Sequence, residues 1–280
     1  MTELTNPRSE RVKAVRSLTG RSARSRTDTF LVEGPQSVRE AVAFAAARTR
    51  DLYVTTAADE RYREITGSAR SQGLRVHLVT DEVLAAMSPD AQGILAVVER
   101  SSDSGRLLEV ALDAAPRLVA VLSNVRDPGN AGTVIRAADA AGAELVVLAG
   151  DSVDVHNPKV VRSTAGSLFH LPVLTGITLV EVVDALRARS IQVLAADGAG
   201  ELDLDDLLDL AGPGVVRTER EPDLAAPTAW VFGNEAWGLR DHERALADAV
   251  VKVPLRGRAE SLNLATAATV CLYASARAQR

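Results

Sequence analysis

Cysteine and histidine are scarce in this sequence. Cys271 is the only cysteine among the 280 residues, which excludes an intrachain disulfide and any metal site built from several cysteines of one chain. The four histidines lack the spacing of metal ligands; they are His77, His156, His170 and His242. We therefore predict no metal centre.

Long apolar runs are also missing. No stretch reaches the roughly 18 apolar residues of a membrane span, and the opening MTELTNPRSERVK lacks the apolar core of a secretory signal. Aromatic residues make up only 3% of the chain, whereas the hydrophobic fraction of 46% is sufficient for a sizeable core. We expect a soluble, cytoplasmic α/β protein, and the length favours two domains.

Basic residues are concentrated near the N-terminus, although the net charge is −5. Between residues 8 and 26, seven arginine or lysine side chains accompany a single acid, Glu10. Such a segment can neutralise phosphates without reading bases, which makes Arg21, Arg24 and Arg26 candidate nucleic-acid contacts. A solvated helix face with a flexible arm explains the same residues equally well.

The first hundred residues alternate between helix and strand patterns. Apolar periodicity predicts helices over 10–18, 37–47, 57–72 and 81–87, and strands over 30–34, 51–55, 74–79 and 93–99. A polar, turn-rich stretch follows at 101–105. We predict a smaller α/β domain at 1–105, a linker at 106–116 that contains a short helix over 107–115, and a second domain at 117–280.

The second domain opens with a short apolar run, 118–122, typical of a strand buried on both faces of a parallel sheet. A Pro/Gly/Asn loop, a helix at 130–141 and a strand at 144–148 complete a βαβ unit. Further strands are predicted at 171–174, 191–195, 229–232 and 250–253, and helices at 179–189 and 262–276. The acidic segment 198–226 is predicted to be helical only in part.

Three loops, 123–133, 233–238 and 254–263, each follow a predicted strand. An open α/β sheet binds its ligands at these carboxyl ends. In the first loop, Asn130 is predicted to cap the following helix. Arg136 in that helix fits an i,i+3 ion pair on a solvated face, but its guanidinium could instead turn back and hold a phosphate. Periodicity does not distinguish the two.

The other two loops have similar double interpretations. Glycines on either side of Glu235 and Trp237 let the backbone approach a ligand closely, but a carboxylate near a helix N-terminus is a common stabilising arrangement. Ser261 is predicted as the N-cap of the last helix. Small residues along that helix suit close packing, either in the core or across a dimer.

Taken in order and at their spacing, the three loops resemble the motifs of the SpoU (TrmH-like) family within the SPOUT methyltransferases. The matching residues are Asn130-x-Gly132-x-x-x-Arg136, Gly233-Asn234-Glu235, and Pro254 through Ser261-Leu262-Asn263. The resemblance covers 118–277 closely. More loosely, 30–34 and the α/β alternation are similar to the L30e-like substrate-binding domain of the family's TsnR-like ribosomal RNA enzymes.

This resemblance implies transfer of a methyl group from S-adenosylmethionine to a ribose 2′-hydroxyl of RNA, with 23S ribosomal RNA favoured over transfer RNA. It also implies a parallel sheet with a C-terminal trefoil knot, and a homodimer whose sites are completed across the interface. The implied catalytic residues are Arg136, Asn130, Glu235, Ser261 and Asn263, and the implied cofactor contacts are Gly233, Val253, Leu255, Leu262 and Asn263. Arg126 is a further candidate RNA contact.

Two alternatives remain at this point. One is a non-catalytic RNA-binding protein on the same fold, which the intact Asn130, Arg136, Glu235 and Asn263 disfavour. The other is a nucleotide-dependent oxidoreductase, which would show a Gly-rich first turn and an acid after the next strand, and the sequence has neither. The motifs leave open which ribose is modified, and whether the role is housekeeping or antibiotic self-resistance.

Overall fold

The computed structural model describes residues 3–100, 104–211, 218 and 221–280. The chain forms two compact units, Met1–Ser102 with Asp154–His170, and Asp103–Val153 with Leu171–Arg280. The segment Asp154–His170 thus belongs by its contacts to the first unit, although its place in the sequence is inside the predicted second domain. Within the described residues, no helix has the length and apolarity to cross a membrane.

The first unit is built on a four-stranded sheet of order β1-β4-β2-β3, in which β2 and β3 are parallel and the other pairs antiparallel. The strands are β1 Thr29–Glu33, β2 Thr49–Thr55, β3 Arg75–Val79 and β4 Ile94–Glu99. Its helices are α1 Glu10–Ser17, α2 Arg21–Thr27, α3 Pro35–Phe44, α4 Thr56–Arg61, α5 Arg63–Ser71, α6 Asp81–Met87 and α9 Pro158–Ser163. The single helix predicted at 57–72 is divided into α4 and α5 at Tyr62.

Both faces of this sheet are covered, and every residue of β1 and all but the last residue of β4 are buried. Phe30 and Val32 of β1 pack in one core cluster, which also takes in Phe169 from the segment Asp154–His170. Leu31 points to the opposite face and packs with residues of α1 and α6. The alternation along β1 therefore supplies two cores from one strand.

The second unit contains a seven-stranded sheet of order β7-β6-β5-β10-β8-β11-β9 in which every pairing is parallel. The strands are β5 Leu118–Ser123, β6 Leu145–Ala149, β7 Val173–Thr175, β8 Gln192–Ala196, β9 Leu202–Asp203, β10 Thr228–Phe232 and β11 Ala249–Lys252. The helices are α7 Ser104–Asp113, α8 Pro128–Ala141, α10 Leu179–Arg187, α11 Leu204–Asp209, α12 Asp241–Arg244 and α13 Leu264–Ala278. The predicted mixed α/β class with a parallel sheet is confirmed.

Two predicted segments differ from the structure or extend beyond it. Much of the predicted linker 106–116 lies in α7, whose Leu108 and Leu112 are buried in the core of the second unit. In the acidic segment 198–226, α11 is the helical part, while 212–217 and 219–220 lie outside the described residues. The same holds for 101–103 in the predicted turn.

Candidate functional site

A cavity of about 420 Å³ opens at the carboxyl ends of β8, β10 and β11 in the second unit. Volumes of roughly 300–1,000 Å³ are typical of sites for small ligands and cofactors. The loops after these strands supply most of its wall. The residues that line the cavity include Asp197, Gly233, Glu235, Trp237, Arg244, Val253, Leu255, Ser261 and Leu262.

The second loop is a tight turn closed by two backbone hydrogen bonds. The Asn234 N–H donates to the Gly238 carbonyl at 3.0 Å, and the Gly238 N–H donates back to Asn234 at 2.8 Å. Gly238 adopts a φ of +64°, which favours glycine. The buried Asn234 amide donates to the Asn124 carbonyl at 2.7 Å and ties the turn to the first loop.

Gly233 precedes this turn at a point where the backbone leaves no room for a side chain. A Cβ on Gly233 would lie 2.3 Å from the Gly238 carbonyl carbon. The glycine therefore allows two backbone segments to pack at the cavity wall, whereas the sequence predicted a close approach of the backbone to a ligand.

Helix α8 begins earlier than the sequence suggested, and Asn130 is not its N-cap. Asp127 is the capping residue, because its carboxylate accepts the Asn130 N–H at 2.7 Å and Pro128 occupies the first helical position. The prediction for Asn130 was wrong because Pro128 has a fixed φ and no N–H to satisfy, so the helix starts there. The Asn130 side chain is thereby available for other contacts.

The N-cap of helix α13 also differs from the predicted one. Its N-cap is Asn263, whose side-chain oxygen accepts the N–H groups of Ala265 and Thr266 at 2.9 and 3.3 Å. The predicted N-cap role of Ser261 is therefore wrong. Ser261 instead lines the cavity and is an exposed residue.

A chain of side-chain hydrogen bonds connects the three loops. Glu235 of the second loop accepts the backbone N–H groups of Arg126 and Asp127 at 3.2 and 3.0 Å, and the Asn130 amide at 3.4 Å. Asn130 in turn accepts a hydrogen bond of 2.9 Å from the Asn263 amide. Four of the five predicted catalytic residues, Asn130, Glu235, Ser261 and Asn263, are thus joined in this network or line the cavity.

The buried carboxylate of Glu243 holds the start of the first loop by hydrogen bonds. The Glu243 carboxylate, 6% exposed, accepts the Ser123 hydroxyl at 2.6 Å and the Asn124 amide at 2.9 Å. Burial alone would raise the pKa of Glu243, but these bonds and one from the Arg240 backbone N–H lower it below its ordinary value. Glu243 therefore stays charged and fixes the start of the loop.

Arg136, the remaining predicted catalytic residue, lies elsewhere on the second unit. It is exposed on α8 and is not among the residues that line the cavity, and its side chain forms no hydrogen bond or ion pair with any described residue. The ion pair with Asp139 that the sequence allowed is therefore not formed. A cation left without a protein partner is suited to binding an anion.

The predicted RNA contacts divide into exposed and buried side chains. Arg126 is exposed in the second unit, and Arg21 and Arg26 are exposed on α2 of the first. Arg24 is only 2% exposed; its guanidinium binds Asp154 at 2.6 Å and donates to the carbonyls of Leu18 and Thr19. The prediction that Arg24 contacts RNA is wrong, because an RNA phosphate could reach its guanidinium only by displacing the buried ion pair with Asp154.

Sequence reasoning missed a fourth loop, the one after β8. Asp197 lies in the cavity wall, where its carboxylate accepts the Leu239 N–H at 3.3 Å and faces Arg244 at 3.4 Å. The signal was available, since Asp197 lies two residues after the strand predicted at 191–195, in a position like those of the loops that were selected.

The cavity suits a cofactor that is held mainly by main-chain groups and apolar side chains. All four apolar or glycine positions predicted for cofactor binding, Gly233, Val253, Leu255 and Leu262, line it. The side chains of Leu255 and Leu262 are exposed, and contact with the apolar surface of a ligand would remove them from water. The residues present therefore fit S-adenosylmethionine.

Comparison with known proteins identifies the family of this chain. A model of the SpoU rRNA methylase family matches residues 117–273, and one of the MRM3-like substrate binding domain matches 9–96. The 23S rRNA (uridine(2479)-2′-O)-methyltransferase of Streptomyces viridochromogenes is 32% identical, with 96% of this chain and 95% of the relative covered. RlmP of Bacillus subtilis, a 23S rRNA (guanosine(2553)-2′-O)-methyltransferase, is 30% identical, with 98% of each chain covered.

Solved structures show the same relationship. The SpoU methyltransferase AviRb from Streptomyces viridochromogenes, solved in complex with AdoMet, has a TM-score of 0.78 at 31% identity. The match covers 96% of this chain and 98% of that one. The chain belongs to the SpoU rRNA methylase family, and the resemblance drawn from its three loops is confirmed.

Proposed function

We propose that this protein transfers the methyl group of S-adenosylmethionine to a ribose 2′-hydroxyl of 23S ribosomal RNA. The observation that carries the proposal is the hydrogen-bonded connection of Glu235, Asn130 and Asn263 beside a cofactor-sized cavity. The chain is an S-adenosylmethionine-dependent RNA 2′-O-methyltransferase, and relatives covering nearly its whole length act on 23S rRNA. The part of this chain that aligns with these relatives includes the N-terminal unit, which supports ribosomal RNA over transfer RNA as the substrate.

The cofactor supplies an activated methyl group on a sulfonium, so the protein's task is to orient it and to make the ribose hydroxyl nucleophilic. We assign Gly233, Val253, Leu255 and Leu262 to holding the cofactor. Glu235 holds the backbone of Arg126 and Asp127, and Asn130 positions Asn263 at the start of α13. These residues keep the loops in one arrangement.

We assign Arg136 to the substrate ribose. A guanidinium there can bind the adjoining phosphate and stabilise the alkoxide charge that develops as the hydroxyl gives up its proton to water. The oxygen then takes the methyl group from the sulfonium, which leaves as neutral S-adenosylhomocysteine. Arginine is almost never neutral, so electrostatic stabilisation, rather than proton removal, is the role proposed.

The position of Arg136 supports a homodimer in which it serves the cavity of a second copy. The exposed side of α13 carries Val270 and Tyr273, which are 40% and 48% exposed. Tyr273 donates to the Ala140 carbonyl at 3.3 Å, one turn beyond Arg136 on α8. The exposed Tyr273 therefore lies about one helical turn from Arg136, and covering this side of α13 with a partner would bring the arginine into an interface.

Two further features belong to the proposal. The return of α13 against α8 and β10 supports a C-terminal knot of the kind the family resemblance implies. Ribosomal RNA as the substrate supports a cytoplasmic location. The assignment of the reaction does not depend on either feature.

The test is Arg136→Ala, measured by methyl transfer to 23S rRNA fragments and by titration with S-adenosylhomocysteine. Loss of one charge-stabilising donor costs roughly 10²–10³ in rate, whereas affinity for the cofactor product should stay near wild type. Arg117→Gln is the matched control, because it removes an exposed arginine at the amino end of β5, away from the cavity. Full methyl transfer by Arg136→Ala would contradict the assignment, and wild-type activity on transfer RNA alone would contradict the substrate.

A further inference from the structure

Trp237 presents an exposed indole at the edge of the cavity. The side chain lines the cavity and is 44% exposed, whereas the other tryptophan, Trp230, is buried and donates to Ser275 at 2.9 Å. Indoles bury large apolar surfaces in proteins, and exposed ones are enriched at binding surfaces. The protein keeps this ring available although burying it would be favourable.

Two guanidinium groups lie over the Trp237 ring. The Cζ atoms of Arg126 and Arg240 are 5.8 and 5.5 Å from the Trp237 ring centroid, within the range of cation–π contacts. Both arginines are exposed, and neither guanidinium is paired with a carboxylate in the described part of the chain. We call Trp237, Arg126 and Arg240 the Trp237 cluster.

The backbone under the cluster is firmly held. Trp237 lies inside the turn that Asn234 and Gly238 close with two hydrogen bonds. The Arg126 N–H donates to Glu235 at 3.2 Å, and the Arg240 N–H donates to the buried Glu243 at 2.8 Å. A fixed backbone lowers the entropy lost when a ligand binds to these side chains.

We propose that the Trp237 cluster binds an unpaired nucleotide of the RNA substrate next to the methylated ribose. The base takes the place of a guanidinium over the indole, and the two arginines move from the ring to contact the neighbouring phosphates. Single-stranded RNA is recognised by this combination, because every base offers a π-face and every linkage a negative charge. The proposal rests on the proposed function, since it places the RNA at the same cavity.

The test uses a fluorescent single-stranded RNA oligonucleotide of mixed sequence, with binding followed by anisotropy over a range of salt concentrations. Trp237→Leu keeps an apolar side chain but cannot stack, so affinity should fall about tenfold with an unchanged salt slope. Arg240→Gln should weaken binding and also reduce the slope by about 0.7, the value for one phosphate contact on a single strand. Arg117→Gln should match wild type.

A second readout is intrinsic fluorescence. Stacking on a base should quench the emission of Trp237, so RNA should quench the wild type and leave Trp237→Leu, which retains the buried Trp230, unquenched. This signal reports stacking itself, which a purely structural role of the tryptophan would not produce.

Three results would overturn the proposal. They are unchanged RNA affinity in both variants, an equal loss of affinity for S-adenosylhomocysteine in Trp237→Leu, and a change of oligomeric mass that accounts for the lost RNA affinity. The last would show that the indole contacts a second copy. If the wild type methylates 23S rRNA while both variants bind RNA normally, only the cluster assignment fails; if the wild type methylates no RNA, the proposed function fails.

Discussion

Replacing Gly233 with alanine tests whether the cavity depends on close backbone packing. The added Cβ would lie 2.3 Å from the Gly238 carbonyl carbon and 2.5 Å from both the Gly238 oxygen and the Leu239 nitrogen. All three are backbone atoms, so no flexible side chain can move aside. The turn 234–238 has to shift by about 1 Å to restore ordinary contact distances.

The magnitude follows from what that shift disturbs. Overpacking of a well-packed site costs roughly 1–3 kcal/mol. The hydrogen bond that the Leu239 N–H donates to Asp197, at 3.3 Å, would also be stretched. A typical hydrogen bond contributes about 1 kcal/mol. We expect Gly233→Ala to lower the free energy of unfolding by about 2–4 kcal/mol.

The cofactor site should weaken with the fold. Because Gly233, Gly238 and Asp197 all line the cavity, moving the turn changes its wall, and affinity for S-adenosylhomocysteine should drop at least about tenfold, equal to 1.4 kcal/mol. Urea unfolding and calorimetric titration measure the two effects. Gly257→Ala is the control, since a Cβ there meets no atom within 4 Å. Wild-type stability and affinity in Gly233→Ala would refute the reasoning.

Two further predictions concern the first unit. Asp154→Asn leaves the buried Arg24 without its counter-charge, so unfolding in urea at neutral pH should show a loss of about 3–5 kcal/mol; a loss under 1 kcal/mol would contradict this. Burial would raise the pKa of Asp154, but hydrogen bonds from His156 and Arg24 lower it well below its usual range. The wild type should therefore lose this stabilisation as pH falls below about 4, and Asp154→Asn should not. Replacing Arg21 and Arg26 together with glutamine should reduce the salt slope of RNA binding by about 1.4, and an unchanged slope would show that α2 does not contact RNA.

The second unit shows which features of a fold are readable from sequence. The runs predicted at 118–122 and 144–148 correspond to β5 and β6, because strands buried on both faces are continuously apolar. Strand β9 has only the residues Leu202–Asp203 and no pattern to detect. Both helix starts in the site were misplaced, since several polar residues in each loop can cap a helix and the tertiary contacts decide among them.

Arg24 shows why the rest could not be predicted. In sequence it is indistinguishable from Arg21 and Arg26, its neighbours in a basic stretch. Its role is decided by Asp154, which lies 130 residues further along the chain. A contact of that separation leaves no local periodicity, so the sequence alone placed a buried structural arginine among candidate RNA contacts.

The same physics explains why the three motifs were informative only as a set. Glu235 contacts Asn130 across 105 residues and Asn130 contacts Asn263 across 133, so Asn130 has a partner in each of the other two motifs, and both partners bond to the first motif. Taken singly, each is a polar residue beside a helix start, an arrangement that stabilises many proteins with no ligand. An exposed carboxylate that orders two backbone N–H groups and an amide serves little purpose unless the loop it orders must hold one geometry. The joint presence of the three motifs therefore points to a ligand site, since folding of the sheet alone would not require them together.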